Sequence, residues 1–479
     1  MSGTALDKEN DIPLVVDLDG TLIRSDLLVE SFFALLPVEP WVALGSLKVL
    51  LKGKSSFKAH LAERAVLDLA SLPVDANVLE YLRAEKAKGR RIYLASASDS
   101  RYVRDLAAHL GVFDGTFGSS PEINLSGRNK ADLLCEKFGE KGFDYIGNDW
   151  VDLEVWSRCR RPIIANAPPR LVRKVRETAP DALEISQLPS RLKTYLRALR
   201  VHQWLKNILI FIPLLASHMI TGGNFLISLA AALAFSLAAS SAYLLNDLVD
   251  IASDRDHATK RFRPLPSGAL PLVHGLALAP LLLGAAIAIG AAISLKYLIV
   301  LLLYCVITLS YSFYLKRKAM IDVLVLAGLY TLRILAGNAA LAISPSFWLL
   351  GFSMFIFLCL ALIKRYIELV GRIKTTGQNP RGRAYVLEDG VVLMALAGAA
   401  GYSSVLTLIL YFNSLEVHKL YSKPEILWFV CPPLLYWISR TLLLAHRGLL
   451  HDDPVVYAAT DRISQITGLV MLCIVLAAV

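Results

Sequence analysis

Hydrophobic residues follow two rules along this chain of 479 residues. Up to about Leu199 they come in short runs and helical stripes broken by turn residues, whereas beyond about Leu205 they merge into stretches of membrane length. In the first part, Leu14, Val15 and Val16 form an apolar run that ends in Asp17-Leu18-Asp19-Gly20-Thr21-Leu22, the pattern of a buried strand delivering two acids into a glycine turn. Arg91 to Ala95 reads as a second strand, ending at Ser96. Phe143 to Ile146 reads as a third, ending in Gly147-Asn148-Asp149-Trp150-Val151-Asp152. Lys130 follows Gly127 at the head of a predicted helix. Polar residues at the carboxyl ends of parallel strands are where open α/β sheets place their sites.

Residues 26–85 read as helices, with Trp41, Leu44, Leu47 and Leu51 on one face and Lys48, Lys52, Lys54 and Lys58 alongside. The stripe is expected to be a small internal core rather than a membrane contact. Pro168, Pro169, Pro180 and Pro189 mark a connecting stretch that ends in a basic helix carrying Arg191, Lys193, Arg197 and Arg200. The expected division is an α/β domain over 11–170, a linker over 171–198 and an all-α membrane domain over 199–479.

Nine apolar spans are predicted, near 204–220, 224–245, 272–294, 297–315, 321–343, 346–364, 390–412, 426–445 and 461–478. Alternate loops are basic: Arg255, Lys260, Arg261 and Arg263; then Lys316, Arg317 and Lys318; then Lys364, Arg365, Arg372, Lys374, Arg381 and Arg383. The intervening loops after Ile220 and Ala342 are nearly uncharged. Basic loops stay in the cytoplasm, so they share a side with the first domain, and an odd span count places the C-terminus outside. Acids contribute little to orientation, so Asp322 and Glu368 near span ends are functional candidates, as are Asp452, Asp453 and Asp461.

The densest polar stretch follows the second span: NDLVDIASDRDHATKRFRP, residues 246–264. Asn246, Asp250 and Asp254 are four apart and fall in a row on one helical face, with Asp247 beside them. Clustered carboxylates repel unless a cation joins them, and hard oxygen ligands suit Mg²⁺, which completes its shell with substrate phosphates. Lys260, Arg261 and Arg263 would hold further phosphate oxygens. The pattern is that of a diphosphate clamp at a membrane surface, a solvated mixed-charge helix end being the bland alternative. Composition agrees: the chain is 55% hydrophobic, with a net charge of +10 and a mean hydropathy of +0.51. Such a balance suits anionic lipid or phosphorylated substrates and, with the charges confined to short loops, argues against nucleic acid. The six cysteines are dispersed and read as free thiols.

The four soluble motifs, in this order, resemble the haloacid dehalogenase (HAD) phosphatase superfamily: DLDGTL, Ser96, Lys130 and GNDWVD. The resemblance implies a Rossmann-like α/β fold with a small helical cap. It makes Asp17 the nucleophile and Asp19 the general acid/base, with Ser96 and Lys130 on the phosphoryl oxygens. Mg²⁺ would be held by Asp17, Asp19 and Asp152. Asn148 stands where that family has an acid, with Asp149 next to it as a substitute ligand. A degenerate regulatory domain is the alternative.

The second half resembles the UbiA superfamily of membrane transferases, through the 246–264 motif and YSFYLKRKAMIDVLVLA after the fourth span. The aromatic prenyltransferases of that family carry a second DxxxD motif; here Asp322 is followed four places on by Leu326. LRVHQWLKN (199–207), HATKRFRP and IKRYIEL (363–369) are instead similar to decaprenyl-phosphate phosphoribosyltransferases. That resemblance implies transfer of 5-phosphoribose from phosphoribosyl pyrophosphate to a polyprenyl phosphate. Asn246, Asp247, Asp250, Asp254 and Asp322 would then serve the metal and the catalytic step. Lys206, Lys260, Arg261, Arg263, Tyr311, Lys316, Lys364 and Arg365 would serve the phosphates. The α/β domain would dephosphorylate the product. The implied setting is the bacterial inner membrane, with the soluble domain cytoplasmic and homo-oligomerisation left open. An aromatic prenyltransferase using a polyprenyl diphosphate is the competing expectation, and a transporter-like bundle a more distant one.

Overall fold

The computed structural model describes the chain apart from residues 1–10, 36–38, 47, 50–52, 121–122, 258, 377–383 and 451–453. Leu47, Leu51, Lys52, Arg381, Arg383, Asp452 and Asp453 therefore lie outside the described residues. Two compact units emerge, one made of residues 1–199 and 243–279, the other of residues 200–242 and 280–479. The stretch around the 246–264 motif groups with the α/β part.

The first unit is built on a six-stranded, wholly parallel sheet in the order β3-β2-β1-β4-β5-β6. The strands are β1 Leu14–Val16, β2 Ile92–Asp99, β3 Gly115–Ser119, β4 Asp144–Gly147, β5 Pro162–Ala165 and β6 Leu183–Ser186. Side chains alternate across a sheet. Leu14 and Val16 accordingly pack with Ile92, Leu94, Val78, Leu82, Val103 and Leu106 on one face. Val15 joins Ala95, Tyr145, Ala131, Leu134, Leu171 and Val175 on the other. Both faces are covered by helices, which is why the strands read as unbroken apolar runs. The strand order reverses about β1, so the crevice beyond the carboxyl ends of β1 and β4 is the topological switch point.

Two expectations need correction here. The stretch 171–198, expected as a linker ending in a basic helix, has that helix at Arg191–Ala198, but before it the helix Pro169–Thr178 and the edge strand β6 belong to the α/β domain. The prolines that suggested a linker work as boundaries: Pro169 starts the helix, where its missing N–H is harmless, and Pro180 follows its end. Among the predicted cap helices, Leu27–Leu35, Pro40–Ser46 and Lys54–Ala62 enclose a small core of Leu35, Ala43, Phe57, Leu61 and Ala65. Trp41 is not part of it, being 84% exposed. At about 100° per residue, Ala43 facing inward turns Trp41 outward.

In the second unit and the segments joining it to the first, seven helices among the described residues are long and apolar enough to cross a membrane. They are Gly222–Val249, Leu272–Ile293, Leu295–Phe313, Ile321–Leu341, Phe347–Gly371, Asp389–Phe412 and Pro424–His446. The count of nine is not met. The first and last predicted spans correspond to shorter apolar helices, Val201–Ala216 and Arg462–Ala478. The first of these is 3-10 wound from Val201 to Phe211 and becomes α-helical only at Ile212–Ala216.

Helix Ile321–Leu341 is central to the second unit. A Cβ placed on Gly337 would come within 2.2 Å of the Ile210 carbonyl oxygen, so only glycine allows this backbone approach. Four residues earlier, buried Arg333 donates to Asn207 Oδ1 at 2.9 Å and to the Leu329 carbonyl at 2.6 Å. Its guanidinium lies 5.2–5.8 Å from the ring centroids of Tyr304, Tyr330 and Phe235. Gly337→Ala is expected to destabilise this unit by about 1–3 kcal/mol. Thermal unfolding of the detergent-purified protein should show a lower Tm, and an unchanged Tm would show that the close approach does not contribute to stability.

Candidate functional site

Two polar sites stand in the first unit, one at the switch point and one along the 246–264 motif. At the switch point β1 ends at Asp17, whose backbone N–H donates to the Ile146 carbonyl of β4 at 2.9 Å. Lys130 Nζ donates to Asp17 Oδ1 at 2.6 Å and to Tyr145 Oη at 3.0 Å, and Tyr145 donates in turn to Asp152 Oδ1 at 2.8 Å. Asp152 Oδ2 accepts the backbone N–H groups of Asn148 and Asp149, at 2.9 and 3.0 Å. Asp152 thus holds the turn after β4 in shape. Asn148 reaches inward, its Oδ1 accepting the Thr21 hydroxyl at 3.1 Å. Gly20, at φ +77°, is required here, since a Cβ would fall 2.2 Å from Asn148 Nδ2. Asp149 is exposed and caps the same turn through Trp150 N–H.

Asp19 is clamped differently. Its Oδ2 accepts Ser96 Oγ at 3.0 Å and Ser98 Oγ at 2.6 Å, and its Oδ1 accepts Leu27 N–H at 2.8 Å. Ser98, Thr21 and Tyr145 are additional members of the site beyond the residues expected from motifs. Ser98 had a signal, since it lies two residues from Ser96 on the same side of β2. Tyr145 sat unmarked inside an apolar run. Burial pushes the Asp17 carboxyl up to about 7, against the opposing pull of Lys130 and with help from the charges of Asp152 and Asp19. Burial also raises Asp19, with the charge of Asp26 adding to it. Two neighbouring carboxyls, one held on a lysine and the other on two hydroxyls and a backbone N–H, form a set that can do nucleophilic and general acid–base chemistry.

The second site begins where the long helix Gly222–Val249 gives way at Asp250 to the short helix Ile251–Arg255. Hydrogen bonds from Asp250 N to Asn246 O (2.9 Å) and from Asp254 N to Asp250 O (2.8 Å) carry the helical register through the break. Asp247 and Asp254 are buried, while Asn246 and Asp250 are half-buried. Within this stretch Asp247, expected beside the row of Asn246, Asp250 and Asp254, meets Asp254, seven residues on, at one guanidinium. Arg263 Nη1 lies 3.1 Å from Asp247 Oδ1 and 2.6 Å from Asp254 Oδ2. Lys260 Nζ lies 3.5 Å from Asp254 Oδ1. Arg261 is exposed and rests over the Phe262 ring.

The donor chemistry of this site fits a hard cation. Two buried carboxylates already converge on one positive group, and both present oxygen. Among the described residues, no three His, Cys, Asp or Glu side chains gather around a metal-sized point. A site of one or two carboxylates is what Mg²⁺ uses when substrate phosphates supply the rest of its shell. The switch-point site also offers oxygen donors, in Asp17 and the Asn148 amide.

In the second unit, Asp322 is fully buried, with Arg365 Nε on Oδ2 and the Tyr385 hydroxyl on Oδ1. Arg365 also bonds Glu368 and the Tyr311 hydroxyl, the latter at 2.9 Å. Asp322, Tyr311 and Arg365 are therefore gathered in one ion-paired cluster. Lys206 lies 5.6 Å from the Tyr330 ring centroid, and Lys316 and Lys364 are half-buried.

These features define a class: a parallel α/β domain joined in one chain to an integral membrane helical domain, each unit carrying buried charge clusters. The model of the UbiA prenyltransferase family matches residues 209–422. The decaprenyl-phosphate phosphoribosyltransferase of Corynebacterium glutamicum is 30% identical over 291 residues, which span 59% of this chain and 86% of that protein. The protein y4nM of Sinorhizobium fredii is 35% identical over 463 residues, 95% of this chain and 89% of that one, so the two-part organisation extends through both. A substrate-bound phosphoserine phosphatase structure aligns with 39% of this chain and 97% of its own, at 16% identity and a TM-score of 0.27. The chain belongs to the UbiA prenyltransferase family, its membrane domain being fused to an N-terminal α/β domain.

The burial of Asp17 has a pH consequence. An unfolded aspartate ionises near pH 4, whereas Asp17 in the folded, metal-free protein does so near 7. The unfolded chain therefore sheds this proton first, and Asp17's contribution makes the fold less stable as pH rises from about 4 to about 7, then levels off. With a chelator present, Tm should fall from pH 5 to pH 7.5 more steeply in the parent than in Asp17→Asn. Parallel curves would contradict the assignment.

Proposed function

We propose that this protein transfers 5-phosphoribose from phosphoribosyl pyrophosphate to a polyprenyl phosphate and that its α/β domain then removes the 5-phosphate. The observation that carries the first step is the convergence of buried Asp247 and Asp254 on one cation, with Lys260 beside them. A bound Mg²⁺ would neutralise the departing diphosphate, which can lower the barrier by several kcal/mol. Asp247, Asp254 and Asp250 would hold it, with Asn246 alongside. Lys260 and Arg263 would take the remaining diphosphate oxygens. The acceptor is already an anion at neutral pH, so the lipid phosphate needs no strong general base. Lys206, Lys316 and Lys364 are assigned to the lipid phosphate, and the apolar spans to its prenyl chain.

The name of the Corynebacterium relative supports the choice of donor and acceptor. A feature of the second unit agrees: Leu326 stands one turn after Asp322, and Asp322 is engaged by Arg365 and Tyr385. That arrangement lacks the second pair of acids expected for an allylic diphosphate donor. The competing reading, an aromatic prenyltransferase, rests on the family match.

For the second step, Asp17 attacks the phosphorus of the monoester and Asp19 protonates the leaving ribose oxygen; water then cleaves the aspartyl phosphate. Lys130 offsets the charge of the nucleophile and the phosphoryl group. The bias of Lys and Arg towards alternate loops supports a cytoplasmic setting for both sites, beneath a bacterial inner membrane. A shared chain raises the effective concentration of the second site for the first site's product.

Purified protein given radiolabelled phosphoribosyl pyrophosphate and decaprenyl phosphate should release pyrophosphate only when the lipid is present. Asp254→Asn should slow this on the order of 10²-fold. Transfer from a polyprenyl diphosphate to 4-hydroxybenzoate, with no use of the ribosyl donor, would favour the competing reading. Mass spectrometry of the lipids should show the 5-phosphorylated product accumulating in Asp17→Asn and its dephosphorylated form in the parent. Identical lipids from both would give the α/β domain another role.

A further inference from the structure

Within the first unit, the 246–264 motif is tied to the α/β domain by a contact that neither proposed reaction uses. Arg255, the residue after Asp254, meets Glu30 in a two-pronged ion pair: Nη2 lies 2.6 Å from Oε1 and Nη1 3.0 Å from Oε2. The two side chains are only 6% and 4% exposed. Arg255 Nε is also committed, donating to the Pro266 carbonyl at 3.0 Å. Glu30 is fixed from its own side by the Ser25 hydroxyl. A second, independent contact runs alongside. Gly268, at φ +70°, comes so near residue 24 that a Cβ would lie 2.2 Å from the Arg24 carbonyl oxygen.

An exposed Lys–Glu pair would carry little meaning. A buried bidentate Arg–carboxylate pair sets geometry, because the guanidinium fork fits a carboxylate in one orientation. Arg255 would otherwise be a second guanidinium next to Asp254, competing with Arg263 and with any bound cation. Held by Glu30, it points away, and the loop from Arg255 to Gly268 that carries Lys260 and Arg263 is pinned at both ends. Helix Leu27–Leu35, which supplies Glu30, begins at the N–H that caps Asp19. One helical turn therefore separates the acid of the α/β site from the anchor of the acidic segment.

We propose that Glu30, acting through Arg255, is a positioning residue for the diphosphate site: it draws Arg255 off Asp254 and fixes the loop that presents Lys260 and Arg263. The proposal rests on the reading of Asp247 and Asp254 as a Mg²⁺–diphosphate site. The full-length protein in detergent allows a test with inorganic pyrophosphate and Mg²⁺ as the probe, binding being followed by calorimetry well below each variant's Tm. Glu30→Gln and Arg255→Gln should each weaken pyrophosphate affinity about tenfold, and the double variant should bind no more weakly than the worse single one. In turnover assays the single variants should raise KM for the diphosphate donor more than they lower kcat. A parent that binds no pyrophosphate with Mg²⁺ would defeat the underlying reading of the site. If the parent binds, single variants that keep the parent's affinity, or losses that simply add in the double variant, would overturn the role of the pair.

Discussion

The stretch from Asn246 to Pro264 poses one electrostatic problem that shapes much of the first unit: carboxylates buried at the end of an apolar helix. An unpaired buried charge is expensive enough that it neutralises or finds a partner. The chain answers by folding back after Arg255 so that Arg263 bridges Asp247 and Asp254, with Lys260 near the second of them. Under the proposed function, the oxygens that accept the guanidinium would accept a divalent ion, and the freed guanidinium would be available to phosphate.

The same economy of charge recurs elsewhere. At the switch point, Lys130, Tyr145 and Asp152 form a relay that holds Asp17 and the turn after β4 together. In the second unit, Asp322, Arg365, Glu368, Tyr311 and Tyr385 satisfy one another. Arg333 is held by Asn207, the Tyr304 hydroxyl, a backbone carbonyl and three aromatic faces. Buried polar groups in these clusters take specific partners, which makes each cluster a precise piece of geometry rather than a loose charge patch.

The apolar runs of β1 and β2, the DLDGTL turn, the long apolar helices and the acidic run after the second predicted span were all readable from order alone. Each is a local signal: a short apolar run, membrane length and turn chemistry are set by neighbours in sequence. Local signals also misled. Prolines at 168, 169 and 180 suggested a linker where the chain makes a helix and an edge strand, because a proline marks a boundary without saying what lies beyond it. A stripe containing Trp41 suggested a core face that a two-turn helix presents through Ala43 instead.

Partner choice belonged to the tertiary structure. Helical spacing put Asn246, Asp250 and Asp254 in a row with Asp247 beside it; that Asp247 and Asp254 meet at one guanidinium was not legible, because Arg263 comes from a loop whose path no periodicity describes. Tyr145 was invisible as a functional group until β4 lay beside β1 and brought its hydroxyl to Lys130. Glu30 and Arg255 are 225 residues apart, and nothing in either neighbourhood announces the other. Sequence determined which groups were present and which local elements would carry them; long-range packing decided which charges met, since that depends on chain reversals summed over the whole fold.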